Sequence, residues 1–289
     1  MQKLVDKLLR RVYHLAINKK GDNIMKKLIA ITLAALMVMS LAACAAKEAA
    51  PAATEAAAEA PAFTTVQPGK LIMVTNAAFP PYEFIADDGS TITGIDAEIC
   101  GMIAKELGLE LQIEDMEFAS LLTAVQTGKA DVAMAGLTVT EERKQNVNFS
   151  QSYAKGVQSV IVPEGSDIKS IDDLAGKKIG VQEATTGHIY CEGDFGAENC
   201  TAYSNGANAV EALLAGKVDC VVIDNNPAKE FVKANVGLQI LDTAYTEEDY
   251  AAAMSKDNEA LLKAFDEVLK AKIADGTVQQ ILDKYISAK

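Results

Sequence analysis

The chain has 289 residues, 49% of them hydrophobic, with 27 Lys and Arg against 40 Asp and Glu and a formal net charge of −13. That length supplies one large or two modest domains with a sizeable core, and the acidic balance excludes nucleic acid, whose phosphates it would repel. Two histidines and five cysteines leave a His–Cys metal site poorly supplied, so no metal and no cofactor is expected.

Residues 1–24, with Arg10, Arg11, Lys19 and Lys20, precede a complete signal sequence and read as an upstream extension, with Met25 as the true start. From Met25 the chain runs MKKLIAITLAALMVMSLAAC. Two lysines, about thirteen mostly apolar residues and then small ones are the order of a secretory signal peptide, too short to span a bilayer comfortably. Its end, LAAC (Leu41–Cys44), resembles the lipobox of bacterial lipoproteins, which implies removal of residues 25–43 and a lipid on Cys44. Residues 1–43 hold eight of the 27 basic and two of the 40 acidic residues, which leaves 19 and 38 and a formal charge near −19 for the mature chain. Such a surface offers no basic patch to anionic lipid, so the membrane link is expected to be covalent.

Residues 45–69, AAKEAAPAATEAAAEAPAFTTVQPG, are rich in Ala, Glu, Thr and Pro. They read as a flexible tether with little to bury. Strands and helices then alternate: strand KLIMVTN from Lys70, helix DAEICGMIAKELG from Asp96, strand ELQIED from Glu110, helix FASLLTAVQTG from Phe118, strand DVAMAG from Asp131. A second series opens near Lys177 with strand KKIGVQ, a helix near Thr186, strand CTAYS, helix NAVEALLAG, strand DCVVID and helix NPAKEFVKA. Two helices, NEALLKAFDEVLKAKIADG and TVQQILDKYIS, close the chain. The alternation predicts an α/β fold with parallel sheets, and two short series predict two lobes. Cys100 and Cys220 lie in apolar runs and read as core residues. Cys191 and Cys200, which flank EGDFGAEN, read either as a local disulfide or as two thiols. His188, the mature chain's single histidine, reads as a surface or cap residue.

In open α/β sheets ligands bind beyond the carboxyl ends of the strands. That places TNAAFPPYEF, GLTVTEER, QEATTG and IDNNP around one crevice. In the segment AGLTVTEERK, Thr140 reads as a helix N-cap, and Arg143 either as a solvated helix residue or as a group aimed at a carboxylate.

AAFPPYEF, GIDAEI, DVAMAGLTVTEERKQNVNFSQSY, DLAGKKIGVQEATTG and DCVVID, taken in order, resemble the amino-acid-binding family of bacterial extracellular solute-binding proteins, the receptors of ABC importers. The likeness covers about residues 69–289. It implies a type II two-lobed periplasmic-binding-protein-like fold, with two parallel-rich sheets flanked by helices and joined by a double hinge. The first lobe would comprise 69–156 plus 247–289, the second 157–246, with 44–68 as lipid anchor and linker. The implied protein is an extracytoplasmic monomer, lipid-anchored to a bacterial membrane, either on the outer face of the cell membrane or in the periplasm. It would hand a polar amino acid to a membrane permease and its ATPase.

The resemblance assigns Arg143 to clamp the ligand carboxylate, since a planar guanidinium meets both oxygens at once. Thr138, Gly136 and Thr186 match neighbouring carboxylate positions, and Asp224, with Gly136, matches those that accept from the ligand ammonium. Because an unpaired buried charge costs several kcal/mol, closure without cargo is expected to be disfavoured. Phe79 and Phe118, with Tyr82 beside them, match aromatic positions around the ligand side chain; core packing is the alternative for all three. Asn76 stands where several relatives carry aspartate, and Gln182 and Ile223 add neither cation nor anion. The pocket therefore leans towards an uncharged polar ligand, although a carboxylate such as Glu83 could substitute for the missing charge. Ala184 replaces a glycine often found before the two threonines, and Asp96 and Glu98 read as helix-start residues complementing the dipole.

Two other functions share these features. The same fold hosts prephenate or arogenate dehydratases and cell-wall lyases, for which Glu183 would be the candidate general acid. A sensory module reporting amino acids to a membrane partner is the other.

Overall fold

The computed structural model describes residues 63–242 and 244–286. The signal peptide, the tether up to residue 62 and Cys44 lie outside the described residues.

The first sheet begins with β1 (Lys70–Thr75), whose five residues after Lys70 are all buried. Side-chain alternation splits it between two cores. Leu71 and Met73 pack with Ile95, Ile99 and Ile103, while Ile72 and Val74 pack on the opposite side with Leu121 and Val125. The short strands β2 (Ala78–Phe79), β3 (Glu83–Ile85) and β4 (Ile92–Thr93) form a small antiparallel sheet of their own. Helix α1 (Ile95–Glu106) buries Ile95, Ile99 and Ile103 at four-residue spacing. Strand β5 (Glu110–Asp115) then runs parallel to β1 in the register Lys70↔Glu110 to Thr75↔Asp115. Helix α2 (Leu121–Gln126) leads to β6 (Val132–Ala133), parallel on the other side of β1. The one-turn α3 (Glu141–Lys144) and β7 (Val147–Phe149) follow.

Strand β8 (Ala154–Pro163) is the spine of the second sheet. Beyond it come β9 (Ile179–Gln182), α4 (Thr186–Phe195), β10 (Cys200–Tyr203), α5 (Gly206–Leu214), β11 (Cys220–Asp224), α6 (Asn225–Ala234), β12 (Leu238–Ile240) and β13 (Thr246–Tyr250). The chain then returns to the first sheet as β14 (Ala253–Ser255) and ends in α7 (Glu259–Ala274) and α8 (Thr277–Tyr285). The strand orders are β5-β1-β6-β14-β7 and β10-β9-β11-β8-β12, with β13 also on β8.

Both sheets are mixed rather than parallel-rich. In the first, β14 lies antiparallel to β6 and β7. In the second, β8 lies antiparallel to β11, β12 and β13. The reason is topological: the connection out of the first sheet and the connection back run in opposite directions and pair with each other, Thr246↔Gln158 through Tyr250↔Ala154. These crossing strands are where sequence reading was silent, and both expected lobe boundaries, at 156/157 and 246/247, fall within them. The four described cysteines, Cys191 and Cys200 included, are unbridged.

Candidate functional site

The segment after β6 is shaped by a buried carboxylate. Asp96, in the first turn of α1, accepts from the Gly136 N–H at 2.9 Å and from the Tyr153 hydroxyl at 2.8 Å. It therefore does more than complement a helix dipole: it holds the loop that carries the site. Burial raises its pKa to about 6, although the Gly136 and Tyr153 donors and a hydrogen bond with the Glu83 carboxyl oppose the shift. Gly136 takes φ 52°, and a Cβ there would lie 2.8 Å from Cε1 of Phe79. Only glycine lets the Phe79 ring lie against this loop.

Thr140 caps α3, accepting from the Arg143 N–H at 3.1 Å. The cap turns Arg143 inward, and its side chain is buried rather than solvated. Nη1 donates to the Thr138 carbonyl at 2.9 Å, and Nη2 to the Ala184 carbonyl at 3.1 Å. The guanidinium carbon stands 5.5 Å from the centre of the Phe118 ring. Desolvation lowers the Arg143 pKa and the nearby Glu248 works against that shift. Thus one guanidinium already joins a carbonyl of each lobe.

Other bonds cross the same gap. The Thr138 and Thr186 hydroxyls are 3.3 Å apart, and Gln182 Nε2 donates to Asn76 Oδ1 at 2.9 Å. Ala184 adopts φ 62°, a conformation that costs a non-glycine residue about 1 kcal/mol. Its methyl does not displace Thr186, which remains buried beside Thr138. Thr185 caps α4 by accepting from the His188 N–H, and His188 Nδ1 accepts from the Ala184 N–H in the same turn.

A small, nearly closed cavity of about 20 Å³ lies between the lobes. Among residues assigned from the sequence, Asn76, Phe79, Phe118, Gly136, Thr138, Arg143, Gln182 and Thr186 line it. Tyr82, Ile223 and Asp224 do not. Tyr82 is fully buried, stacked 5.8 Å from Phe79 and edge-on 5.3 Å from Tyr250, with its hydroxyl accepting from Asn226 Nδ2 at 2.9 Å. Ile223 packs into the core of the second lobe with Val221 and Val210. Both are packing residues.

Asp224 caps α6 through the Asn226 N–H at 2.9 Å, and its other oxygen accepts from the Val157 N–H at 2.8 Å and from the Tyr250 hydroxyl at 3.0 Å. Burial raises its pKa to about 6. Tyr250 lines the cavity, so Asp224 stands one hydrogen bond behind the wall. Both charges are held by hydrogen bonds to neutral groups, and among the described residues neither Arg143 nor Asp224 has an ion-pair partner.

Five lining residues escaped the sequence reading of the site: Ala135, Gln158, Thr185 and Tyr250 altogether, and Glu83 except as a substitute charge. Gln158 and Tyr250 sit on the crossing strands, next to Glu248, which accepts from Thr138 Oγ1 at 3.1 Å and Gln158 Nε2 at 2.9 Å. No local pattern announces TEEDY (246–250) as a strand, so its buried Glu248 and Tyr250 had no signal; the apolar run SVIVP (159–163) could have revealed β8 and with it Gln158. Glu183 is exposed and outside the lining.

A buried arginine, paired hydroxyls and aromatic walls at the junction of two α/β lobes suit a small solute with a carboxylate. Residues 71–288 match the bacterial extracellular solute-binding proteins, family 3. The chain belongs to that family. Among its relatives, the L-cystine-binding protein TcyJ of Escherichia coli is 30% identical over 224 residues, covering 76% of this chain and 84% of TcyJ. The arginine-binding extracellular protein ArtP of Bacillus subtilis is 32% identical over 228 residues, covering 76% of this chain and 87% of ArtP. Among solved structures, an ancestral arginine-binding protein bound to glutamine has a TM-score of 0.73 at 36% identity, over 77% of this chain and 100% of that one. The arginine-, lysine-, histidine-binding protein ArtJ from Geobacillus stearothermophilus has a TM-score of 0.72 at 34% identity, over 76% and 96%. This family-3 chain is therefore a substrate-binding protein for transport and not an enzyme.

Proposed function

We propose that the chain is the lipid-anchored receptor of an ABC importer, which captures a polar amino acid by hinge closure and passes it to a permease driven by an ATPase. The observation that carries this reading is Arg143: a buried guanidinium from the first lobe whose donors meet the Thr138 carbonyl and, across the gap, the Ala184 carbonyl. A ligand carboxylate arriving there exchanges with neutral carbonyls for a charge-assisted pair, which is stronger. Thr138, Gly136 and Thr186 complete the carboxylate site. Asp224 takes the ammonium side through the Tyr250 hydroxyl, with the Gly136 carbonyl beside it. Relatives that bind arginine, cystine or histidine are consistent with an amino acid as the solute.

In this reading residues 69–156 and 247–289 form one jaw and 157–246 the other, the paired strands β8 and β13 act as the hinge, and the receptor works as a monomer. A thermal-shift screen of the full chain against the proteinogenic amino acids and cystine tests it. At least one α-amino acid is expected to raise Tm, because a ligand at 100 times its Kd adds about 2.7 kcal/mol. Its N-acetylated and methyl-ester forms are expected to have no effect. Stabilisation by none of the amino acids would overturn the assignment.

Anchoring is tested separately. Among the described residues no helix is long and apolar enough to cross a membrane, so Cys44→Ser is expected to move the protein from the membrane fraction to the soluble one. Retention in the membrane fraction would rule out the lipid on Cys44.

A further inference from the structure

Glu248 lies on β13, one of the two crossing strands, and is buried although it stands outside the cavity lining. Donors from three parts of the chain converge on it. Thr138, in the loop after β6, donates its hydroxyl to Oε2 at 3.1 Å. Gln158, on β8, donates Nε2 to the same oxygen at 2.9 Å. Tyr190, half-buried on α4, turns its hydroxyl towards the carboxylate, and burial together with the Glu248 charge pushes that phenol up to about 12. Gln158 is also fitted against α4, since a Cβ on Gly187 in the first turn would lie 2.9 Å from Gln158 Oε1.

A carboxylate accepts and has no proton to give, so it fixes which way the neighbouring hydroxyls point. The Thr138 proton goes to Glu248. Thr138 Oγ1 is then the acceptor in its 3.3 Å contact with Thr186, and the Thr186 hydroxyl is the donor. The protons of this chain run one way, from α4 through the loop after β6 to β13. The same carboxylate supports Arg143, countering part of the cost of burying its guanidinium.

We propose that Glu248 is a positioning residue for capture: it touches no ligand, and by gathering donors from both lobes it latches them together around an enclosed solute. This rests on the receptor reading above and goes beyond it. On that reading Thr138 belongs to one jaw and Tyr190 and Gln158 to the other, so the jaws part only by giving up bonds to Glu248. Solute meets the receptor before the latch forms. The latch therefore governs how long a solute stays and not how fast it enters.

The test is Tyr190→Phe, which removes one donor and leaves every charge and the cavity lining in place. Calorimetric titration of the full chain with the proteinogenic amino acids and cystine picks the tightest binder among them, and its radiolabelled form then gives the two rates. Tyr190→Phe is expected to raise the dissociation rate about fivefold, the effect of losing one partly exposed hydrogen bond, with the association rate unchanged. In a Glu248→Ala background the same substitution is expected to change neither rate, whatever Glu248→Ala does alone. A side chain that merely packs would show its effect in both backgrounds. Should Glu248→Ala fail to fold by circular dichroism, the split between the two rates in Tyr190→Phe decides alone. An unchanged dissociation rate, a slower association, or the same effect without Glu248 overturns the latch and leaves the receptor reading standing. No heat from any of these amino acids overturns both.

Discussion

Replacing Arg143 by alanine is expected to weaken amino-acid binding by about 3 kcal/mol, on the order of a hundredfold in Kd. The expectation follows from where the guanidinium sits. It is buried beside Phe118, its two donors reach a carbonyl on each lobe, and it is the cation lining the cavity. Without it, a ligand carboxylate would be desolvated against the Thr138 and Thr186 hydroxyls alone, and a buried anion without a cation is among the costlier arrangements a protein can hold. Removing the side chain also unties Thr138 from Ala184, so the variant loses a direct bond across the gap. Isothermal titration with the amino acid that stabilises the parent most will show the change; an unaltered Kd removes Arg143 from the site. Arg143→Lys is expected to recover only part of the loss, because an ammonium is a point charge and cannot present two parallel donors.

The second large effect concerns the fold. Gly94 precedes α1 at φ 127°, and a Cβ there would come within 2.2 Å of the Tyr82 carbonyl oxygen and 2.7 Å of its carbon. Those atoms cannot retreat cheaply: the Tyr82 carbonyl accepts from the Asp96 N–H at 2.9 Å, and the Tyr82 ring is packed between Phe79 and Tyr250. Gly94→Ala is therefore expected to destabilise the protein by about 4 kcal/mol, at the upper end of single substitutions. Gly89 provides the control, since it also has positive φ but no atom within 4 Å of the place a methyl would take. There the cost is expected to be about 1 kcal/mol, the backbone contribution alone. Urea denaturation of both variants separates the two, with the midpoint shifting and the slope unchanged. Equal shifts would show that the steric clash at Gly94 is relieved without loss.

These two sites also mark what could be read from the residues beforehand. ELQIED became β5 residue for residue, and the helices around Ile99, Val210 and Phe265 formed where apolar periodicity put them. Such elements are legible because a buried face repeats at a fixed interval. The first-lobe side of the cavity was legible for a different reason: Asn76, Phe79, Gly136, Thr138 and Arg143 sit in segments that follow β1 and β6, strands of a recognisable series. β13 defeated the same method. Thr-Glu-Glu-Asp-Tyr has no apolar alternation, and it is a strand only because β8 lies beside it and Val157, Asp224 and Tyr250 tie it down. Glu248 and Tyr250 are thus buried by tertiary context rather than by local preference. Tyr82 and Asp224 lie one layer of atoms behind the cavity wall, a distance that residue order does not encode. Glu83 was legible as a charge, but its burial against the Asp96 carboxyl required coordinates.

The first residues of the folded body carry a mechanical implication. The Val66 N–H donates to Asp131 at 2.7 Å, the Thr64 carbonyl accepts from Asn258 at 3.0 Å, and Phe63 packs against the core beneath α1. The described chain thus begins fixed to the half that contains α7 and α8 and not to the half built on β8. On the anchored, hinge-closing reading proposed above, a pull from the N-terminal side would load that half alone. Changing the length of residues 45–62 is then expected to leave ligand affinity unchanged, as titration of the variants would show.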